Sequence, residues 1–190
     1  MFGLTVEEWG VINGFANWLA AIGTISAVIV SLYLSTKGGK RNANLSVNLM
    51  LMAEQGSDHH PEHIVYKLVN TGDRSFHPDS IGWVFGKKKD RSSFIQLFDR
   101  QLSNDLPTLQ ASGVANKWLF SVDDQRWFTK MAESLGADWK RNIKTLRALA
   151  TTTTGEEFLC IPGDTILTKI KEQCLAIQQA AITRPSSEPR

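Results

Sequence analysis

WGVINGFANWLAAIGTISAVIVSLYLST, residues 9–36, is the stretch that decides how this 190-residue chain is organised. It is 28 residues long and contains no charged side chain. As a helix rising about 1.5 Å per residue, it is longer than the hydrocarbon layer of a bilayer, which is roughly 30 Å thick. Its eleven Val, Ile, Leu and Phe residues each contribute about −0.5 kcal/mol to membrane insertion. The stretch therefore predicts a single membrane-spanning helix within an N-terminal anchor, residues 1–36.

One face of this predicted helix carries polar and small side chains. They follow one another in steps of four and three and so form one strip, which we name the helix-association strip: Asn13, Asn17, Ala20, Thr24, Ala27 and Ser31. Amides that face lipid are costly, whereas small and hydrogen-bonding residues let two helices approach closely. We expect the helix to self-associate into a homo-oligomer through this strip. The alternative is a monomeric anchor whose asparagines lie near the membrane interface.

Charges at the two ends of the stretch predict its orientation. Lys37, Lys40 and Arg41 follow it, whereas Glu7 and Glu8 precede it. Because positive charge stays on the cytoplasmic side, the N-terminus is expected outside and the rest of the chain in the cytoplasm. A cleaved signal peptide would need a basic leader and a shorter apolar core, so we expect the anchor to be retained. The three cations begin a basic linker, residues 37–44, placed to contact lipid headgroups.

Composition limits what the remainder of the chain can be. All 21 Lys and Arg follow Thr36, together with 17 Asp and Glu, which gives this part a net charge of +4. That mild excess suits a position beside anionic lipid and is no argument by itself for nucleic-acid binding. Cys160 and Cys174 have no metal-binding spacing, and a reducing cytoplasm keeps them as thiols. We expect both to be small buried residues.

Alternating apolar residues predict an antiparallel β domain over residues 45–162. Leu45, Val47, Leu49 and Leu51 alternate with polar residues, as in a half-buried strand, and the sequence NTGD at 70–73 indicates a turn. Further strands are predicted at 63–70, 80–86 and 94–98, the last two joined by a basic turn at 87–91. An irregular strand pair is predicted around Gly113, over 106–122, and a closing hairpin from 143–151 and 157–161.

Two helices are predicted in the same part of the chain. Trp127, Met131 and Leu135 are four residues apart, which indicates an inserted helix near 123–135, capped by Asp123 and ended by Gly136. An amphipathic C-terminal helix is predicted at 163–182, followed by a disordered tail at 183–190. The fold class is thus α+β and mainly β: one transmembrane helix, an antiparallel β-sandwich-like cytoplasmic domain and a C-terminal helix.

No residue pattern points to catalysis or to a metal. His59, His60 and His63 lie close together, but Pro61 between them disfavours the helix that would converge two of them on zinc. A solvated polar loop is the preferred interpretation. The sequence has no GxSxG, phosphate-binding loop or HExxH motif. We therefore expect a protein without enzymatic activity, cofactor, metal or small-molecule substrate.

Two segments carry a resemblance to known proteins: YKLVNTGDRSFHPDSIGWVFG, residues 66–86, and ATTTTGEEFLCIPGD, residues 150–164. They resemble small bacterial proteins that have one N-terminal membrane helix and an immunoglobulin-like β-sandwich, with a strand ending in N-T-G, a Gly-Trp pair on the next strand and a T-x-x-G turn in a late hairpin. The resemblance implies a fold and not an activity, because these residues form turns and core. It also implies a bacterial inner-membrane location.

A narrower resemblance is to the membrane effectors encoded beside retron reverse transcriptases in antiphage defence. The chain is similar to them in being small, span-bearing and without enzymatic motifs. This implies a toxin restrained by a reverse transcriptase and its RNA–DNA product, which perturbs the inner membrane during abortive infection. Our preferred expectation is such a non-enzymatic effector with the lipid bilayer as target. The alternative is a membrane-tethered adaptor whose β-sandwich recruits a cytoplasmic protein.

Overall fold

The structure of the protein is a computed structural model. It describes Gly3 and residues 6–37, 41–53, 58, 60–87, 89–122 and 124–183, with the backbone alone for residues 7, 8, 36, 37, 182 and 183. The chain divides into two compact units, Met1–Lys40 and Arg41–Arg190. Ala43 and Asn44, predicted as linker, belong to the first strand of the second unit. Predictions for Lys40, His59, Asp123 and residues 184–190 lie outside the described residues.

Apart from Gly3, the described residues of the first unit form one uninterrupted helix, α1, Val6–Lys37. No proline interrupts it, and a helix satisfies all its internal backbone hydrogen bonds within the segment, as lipid requires. Within it, Trp9–Ser35 is long and apolar enough to cross a membrane, and none of this stretch is buried. The described part of the chain has this one helix of that kind. An N-terminal helix able to span a bilayer is thus confirmed.

The described residues of the second unit form seven antiparallel strands in two sheets. The first sheet has the order β1-β2-β5 and the second the order β4-β3-β6-β7. The strands are β1 Ala43–Leu51, β2 Glu62–Asn70, β3 Pro78–Phe85, β4 Ser92–Ile95, β5 Ala115–Ser121, β6 Arg147–Thr152 and β7 Glu157–Cys160. Together with the helices, they confirm the α+β fold class with antiparallel sheets.

The sheets pack face to face through inward side chains of β2 and β3. Tyr66 and Trp83 are both fully buried. Their rings meet edge to face with centroids 5.5 Å apart. The Tyr66 hydroxyl also donates a hydrogen bond of 2.8 Å to the carbonyl oxygen of Gly82 in the facing sheet. A buried hydroxyl without a partner would be destabilising. This bond therefore fixes the registry between the two sheets.

Three helices complete the second unit: α2 Arg126–Leu135, α3 Trp139–Thr145 and α4 Asp164–Thr183. Helix α2 buries Phe128, Met131, Ala132 and Leu135. It ends at Gly136, whose φ of 65° suits a residue without a side chain. Helix α4 buries Ile166, Ile170 and Cys174, as its apolar spacing predicts. Ile177, predicted for the same face, is 37% exposed.

Three predicted elements differ from the structure. Strand β4 lies two to three residues before the predicted 94–98. Residues 143–145, predicted as the start of a strand, are the end of α3 (Trp139–Thr145), so β6 begins only at Arg147. The strand pair predicted over 106–122 is wrong, because β5 pairs instead with β2.

Buried amides explain why no strand pair forms over 106–122. The Gln110 side chain is fully buried and donates to the carbonyl oxygens of Leu68 at 2.9 Å and Val114 at 2.5 Å. Asn116 in turn donates to the Gln110 amide oxygen at 2.8 Å. These side-chain bonds satisfy backbone groups that a ladder would otherwise use. An apolar pattern cannot reveal them.

Candidate functional site

The surface of α1 is the largest apolar feature of the described chain. Fifteen of its large apolar side chains are exposed, including Phe15 at 68% and Trp18 at 72%. Soluble monomers do not normally expose apolar patches larger than a few hundred Å². The helix therefore needs an apolar environment, which a bilayer provides.

The helix-association strip lies on α1 with all its side chains exposed. From Asn13 to Ser31 its members alternate steps of four and three, so that the pattern repeats every seven residues, over about 27 Å of helix. That period is the one that keeps one face of a helix against a partner in a left-handed coiled coil. The strip is therefore long enough to follow a second helix through most of the hydrocarbon layer.

Two amides in the strip have unmet hydrogen-bonding capacity. The Thr24 hydroxyl donates to the carbonyl oxygen of Ala20 at 2.9 Å, so it is satisfied within the helix. Among the described residues, no hydrogen bond is found for the side chains of Asn13 and Asn17. In hydrocarbon these amides would need a partner from outside the helix. Self-association through the strip stays a prediction, with this need as its physical motive.

Arg41 is the membrane-proximal cation whose side chain the structure describes. Lys37 is the last residue of α1, whereas Arg41 begins the second unit. The Arg41 guanidinium lies 3.1 Å from a Glu156 carboxylate oxygen and donates to the Thr154 hydroxyl at 2.8 Å. Its charge is thus partly balanced by the turn between β6 and β7. Lipid contact by Lys37, Lys40 and Arg41 stays a prediction.

Of the clustered histidines that the structure describes, His60 is exposed as predicted for a solvated loop, whereas His63 is not. His63 lies in β2, is 6% exposed and has Nδ1 3.2 Å from the Pro61 carbonyl oxygen. The solvated-loop prediction is therefore wrong for His63, which belongs to the strand predicted at 63–70 and lies inside the domain. His60 and His77 are exposed. Within the described ranges, no group of three or more His, Cys, Asp or Glu is arranged to hold a metal.

Burial favours the neutral forms of three groups in the domain: Cys174 and Tyr66, which are buried, and Cys160, which is partly buried. Burial raises the pKa of the Cys160 thiol to about 11 from the usual 9.0, and also raises the pKa of Cys174. Burial likewise raises the pKa of the Tyr66 hydroxyl well above 10.0. A reactive cysteine needs a lowered pKa, because the thiolate is the nucleophile. These groups therefore provide no activated nucleophile near neutral pH.

Sequence reasoning missed a partly buried ion pair that joins three elements. Lys169 on α4 has Nζ 2.7 and 2.6 Å from the two carboxylate oxygens of Glu62, the first residue of β2. The same ammonium lies 5.6 Å from the centroid of the Phe128 ring on α2. Since 107 residues separate the two charges, no local pattern could have indicated the pair.

A second missed feature is a polar link inside the aromatic core. The side-chain oxygen of Gln96 accepts from the indole nitrogens of Trp83 at 3.2 Å and Trp127 at 2.8 Å. The two indole rings are 5.1 Å apart. Gln96 therefore fixes the segment after β4 to the buried face of the domain. The tryptophans act here as core residues, with Trp83 fully buried and Trp127 partly so.

Comparison with known proteins adds little to this description. No protein-family model and no curated protein matches the chain. One similar solved structure is the structural genomics target SoR45, with a TM-score of 0.29, 9% identity, and coverage of 62% of this chain and 80% of that chain. Another is the ApaA protein from Bordetella pertussis, with a TM-score of 0.31, 11% identity, and coverage of 63% and 87%. Likenesses this slight support no conclusion about fold family or function.

Proposed function

We propose that this protein is a non-enzymatic inner-membrane effector, a toxin of a bacterial antiphage defence system, whose α1 crosses the membrane once and self-associates. The observation that carries the proposal is the exposed helix-association strip with its unsatisfied Asn13 and Asn17 amides. Assembly of several spans places these amides and Thr24 side by side within the bilayer, where polar groups attract water and weaken the permeability barrier.

The β domain has a regulatory role in this proposal. It lies in the cytoplasm, because Lys37 and Arg41 follow the span, and a partner bound there restrains assembly of the helices. The resemblance to retron effectors implies a reverse transcriptase with its RNA–DNA product as that partner. Coexpression with such a partner should then suppress the toxicity of the chain.

Leucine substitutions in the strip test the proposal. The variant Asn13→Leu, Asn17→Leu, Thr24→Leu should still insert, since each change makes the span more apolar. It should lose self-association, measured by energy transfer between labelled chains in vesicles, and it should lose toxicity on induction. The matched control is Phe15→Leu, Ile22→Leu, Ile29→Leu, three changes on other faces of α1, which should keep both properties. Full toxicity of the strip variant would contradict the proposal.

A tethered adaptor is the second candidate, favoured by two apolar residues exposed on the β domain. Ile95 is 72% exposed and Leu97 is 82% exposed. Exchange of residues 9–36 for an unrelated single-span helix separates the two candidates. An adaptor should keep its function after the exchange, whereas the effector should lose its toxicity.

A further inference from the structure

The edges of the two sheets differ in how they are covered. At the edge of β5, the loop between β4 and β5 supplies the missing partners. The backbone nitrogens of Asp99 and Asn104 donate to the carbonyl oxygens of Leu119 at 2.8 Å and Lys117 at 2.9 Å. The Ser103 and Asn104 side chains accept from the backbone nitrogens of the same two β5 residues, at 2.9 and 2.7 Å. This edge is therefore closed to another strand.

The edges of β1 and β7 lie against each other. In addition, the backbone nitrogen of Gly163, just before α4, donates to the Val47 carbonyl oxygen on β1 at 2.9 Å. A side chain at this glycine would meet the Asn48 side-chain oxygen at 2.7 Å. Covered edges of this kind are how proteins prevent unwanted strand pairing.

Strand β4 is left with an open edge. The Gln96 backbone nitrogen donates to the Ile81 carbonyl oxygen at 2.8 Å, which directs the backbone groups of Phe94 and Gln96 toward β3. Because these groups alternate along a strand, those of Ser93 and Ile95 point away from β3. Within the described ranges, no partner is found for them. The edge of β4 thus offers free donors and acceptors beside exposed Ile95 and Leu97.

Cavities lie on both faces of β4. On the outer face, a cavity of about 540 Å³ is bordered by Ser93, Ile95 and Leu149. Gly82 on β3, directly opposite Ile95, has no side chain to fill this cavity. On the inner face, a cavity of about 320 Å³ is lined by Phe94, Gln96, Trp127, Lys130, Met131 and Ser134. Side chains of an added strand would alternate between these faces, and each face has space for them.

Positive charge surrounds the open edge. The turn before β4 contains Lys87, Lys89 and Arg91, and Lys130 lines the inner cavity. Three acids lie near this edge: Asp90 is in the same turn, Asp99 follows the strand, and Glu157 borders the outer cavity, where Arg91 pairs with it at 2.8 Å. A partner with Asp or Glu among apolar residues would therefore be attracted, whereas a basic segment would be repelled.

We infer that the open edge of β4 binds an extended, apolar and acidic segment of another protein, which adds to the four-stranded sheet as a fifth strand. Backbone hydrogen bonds to Ser93 and Ile95 supply part of the affinity, and the two cavities with Lys130 select the side chains. The inference goes beyond the proposed membrane activity, because it concerns the β domain alone and holds whether or not α1 self-associates.

Fluorescence anisotropy with the full chain in nanodiscs tests this inference. The probe is a labelled synthetic peptide of about eight residues in which Val or Leu alternates with Glu. Ile95→Pro removes an outward N–H and places a ring in the path of the added strand. We expect this variant to weaken binding by about tenfold or more. The matched control is Leu159→Pro, on the opposite edge strand of the same sheet, which should bind the peptide normally.

Charge reversal supplies a variant that leaves the backbone unchanged. Lys130→Glu should weaken binding of the Glu peptide and strengthen binding of a matched peptide with Lys in place of Glu. Near-ultraviolet circular dichroism shows whether Ile95→Pro folds. If it does not fold, the Lys130→Glu result alone tests the inference. Normal binding by a folded Ile95→Pro chain, or no response to Lys130→Glu, would overturn the inference. So would failure of the peptide to bind while chains pair with each other through β4, since the occupant would then be a second copy.

Discussion

The carboxylate of Glu62 lies where β2, α2 and α4 meet. Its partner Lys169 is 25% exposed and Glu62 itself 22%, so water screens the pair only in part. Gln125, at the start of α2, donates to the same carboxylate at 3.4 Å. Loss of one member leaves the other partly buried without its counter-charge, which costs more than loss of an exposed pair.

Glu62→Ala is therefore expected to lower the free energy of unfolding by about 1–2 kcal/mol. Urea denaturation followed by tryptophan fluorescence measures this change. The control is Arg126→Ala, which breaks an exposed pair with Asp124 at 3.2 Å, with side chains 81% and 58% exposed, and leaves the Asp124 carboxylate to accept the backbone N–H of residue 126. The control should change stability by less than about 0.5 kcal/mol. Equal effects of the two substitutions would show that the Glu62 pair contributes no more than a surface pair.

The raised pKa of Cys160 predicts slow reaction with alkylating reagents. With a pKa of about 11 instead of 9.0, the thiolate fraction at pH 8 falls about hundredfold. The rate of iodoacetamide modification at Cys160, followed by mass spectrometry, should therefore be about hundredfold lower in the folded chain than in urea. It should rise about tenfold per pH unit up to pH 10. A rate equal to that of the unfolded chain would contradict the assigned burial.

At the scale of elements, the sequence predicts what depends on local periodicity. The alternation at Leu45 and Val47 places β1, and the spacing of Met131 and Leu135 places α2. Helix α3 is missed because, of its seven residues, only Ile143 is buried. Such a short element has too few apolar positions to show a helical period. Strand β4 is misplaced for a similar reason, since its limits depend on pairing with β3 and not on its own side chains.

Gly82 is the position at which β3 and β4 depend on the absence of a side chain. A Cβ atom there would overlap the Phe94 carbonyl oxygen of β4. Gly82→Ala should therefore force the two strands apart and lower the free energy of unfolding by about 1–3 kcal/mol. Thermal unfolding measures the loss. Ser93→Ala, on β4 beside the same cavity, is the matched control and should leave the transition almost unchanged. A fully stable Gly82→Ala chain would show that β4 can shift without cost.

The period of the helix-association strip predicts how two copies of α1 meet. In a background with Cys160 and Cys174 replaced by serine, single cysteines at positions 17, 20, 24 and 27 should form disulfide-linked dimers under mild oxidation. Cysteines at positions 15, 22 and 29 should give a several-fold lower yield of disulfide-linked dimer, because a 3.5-residue repeat keeps one face of the helix at the interface. Gel electrophoresis of membranes measures the yield. Equal yields at all positions would exclude a defined helix pair.

At the scale of the whole molecule, the two candidate sites differ in how far the sequence can reveal them. The strip follows from the order of residues in one helix, so its geometry is predictable without a structure. The open edge of β4 depends on which strands lie beside which, and on the loop that covers β5. A local sequence pattern encodes neither the order of the strands nor the position of that loop. Ile95 and Leu97 therefore look in sequence like ordinary strand residues, although they are among the most exposed apolar residues of the second unit.

The charge asymmetry around α1 gives a prediction about the whole chain. Two acids precede the span and every Lys and Arg follows it, which favours a cytoplasmic β domain. Trypsin added to spheroplasts should then leave residues 41–190 intact, whereas inverted membrane vesicles should allow their cleavage. A variant with lysine in place of Glu7 and Glu8, and glutamine in place of Lys37, Lys40 and Arg41, should insert with the opposite orientation in part of the population. Cleavage of the unmodified chain in intact spheroplasts would place the β domain outside, where a cytoplasmic partner could not restrain it.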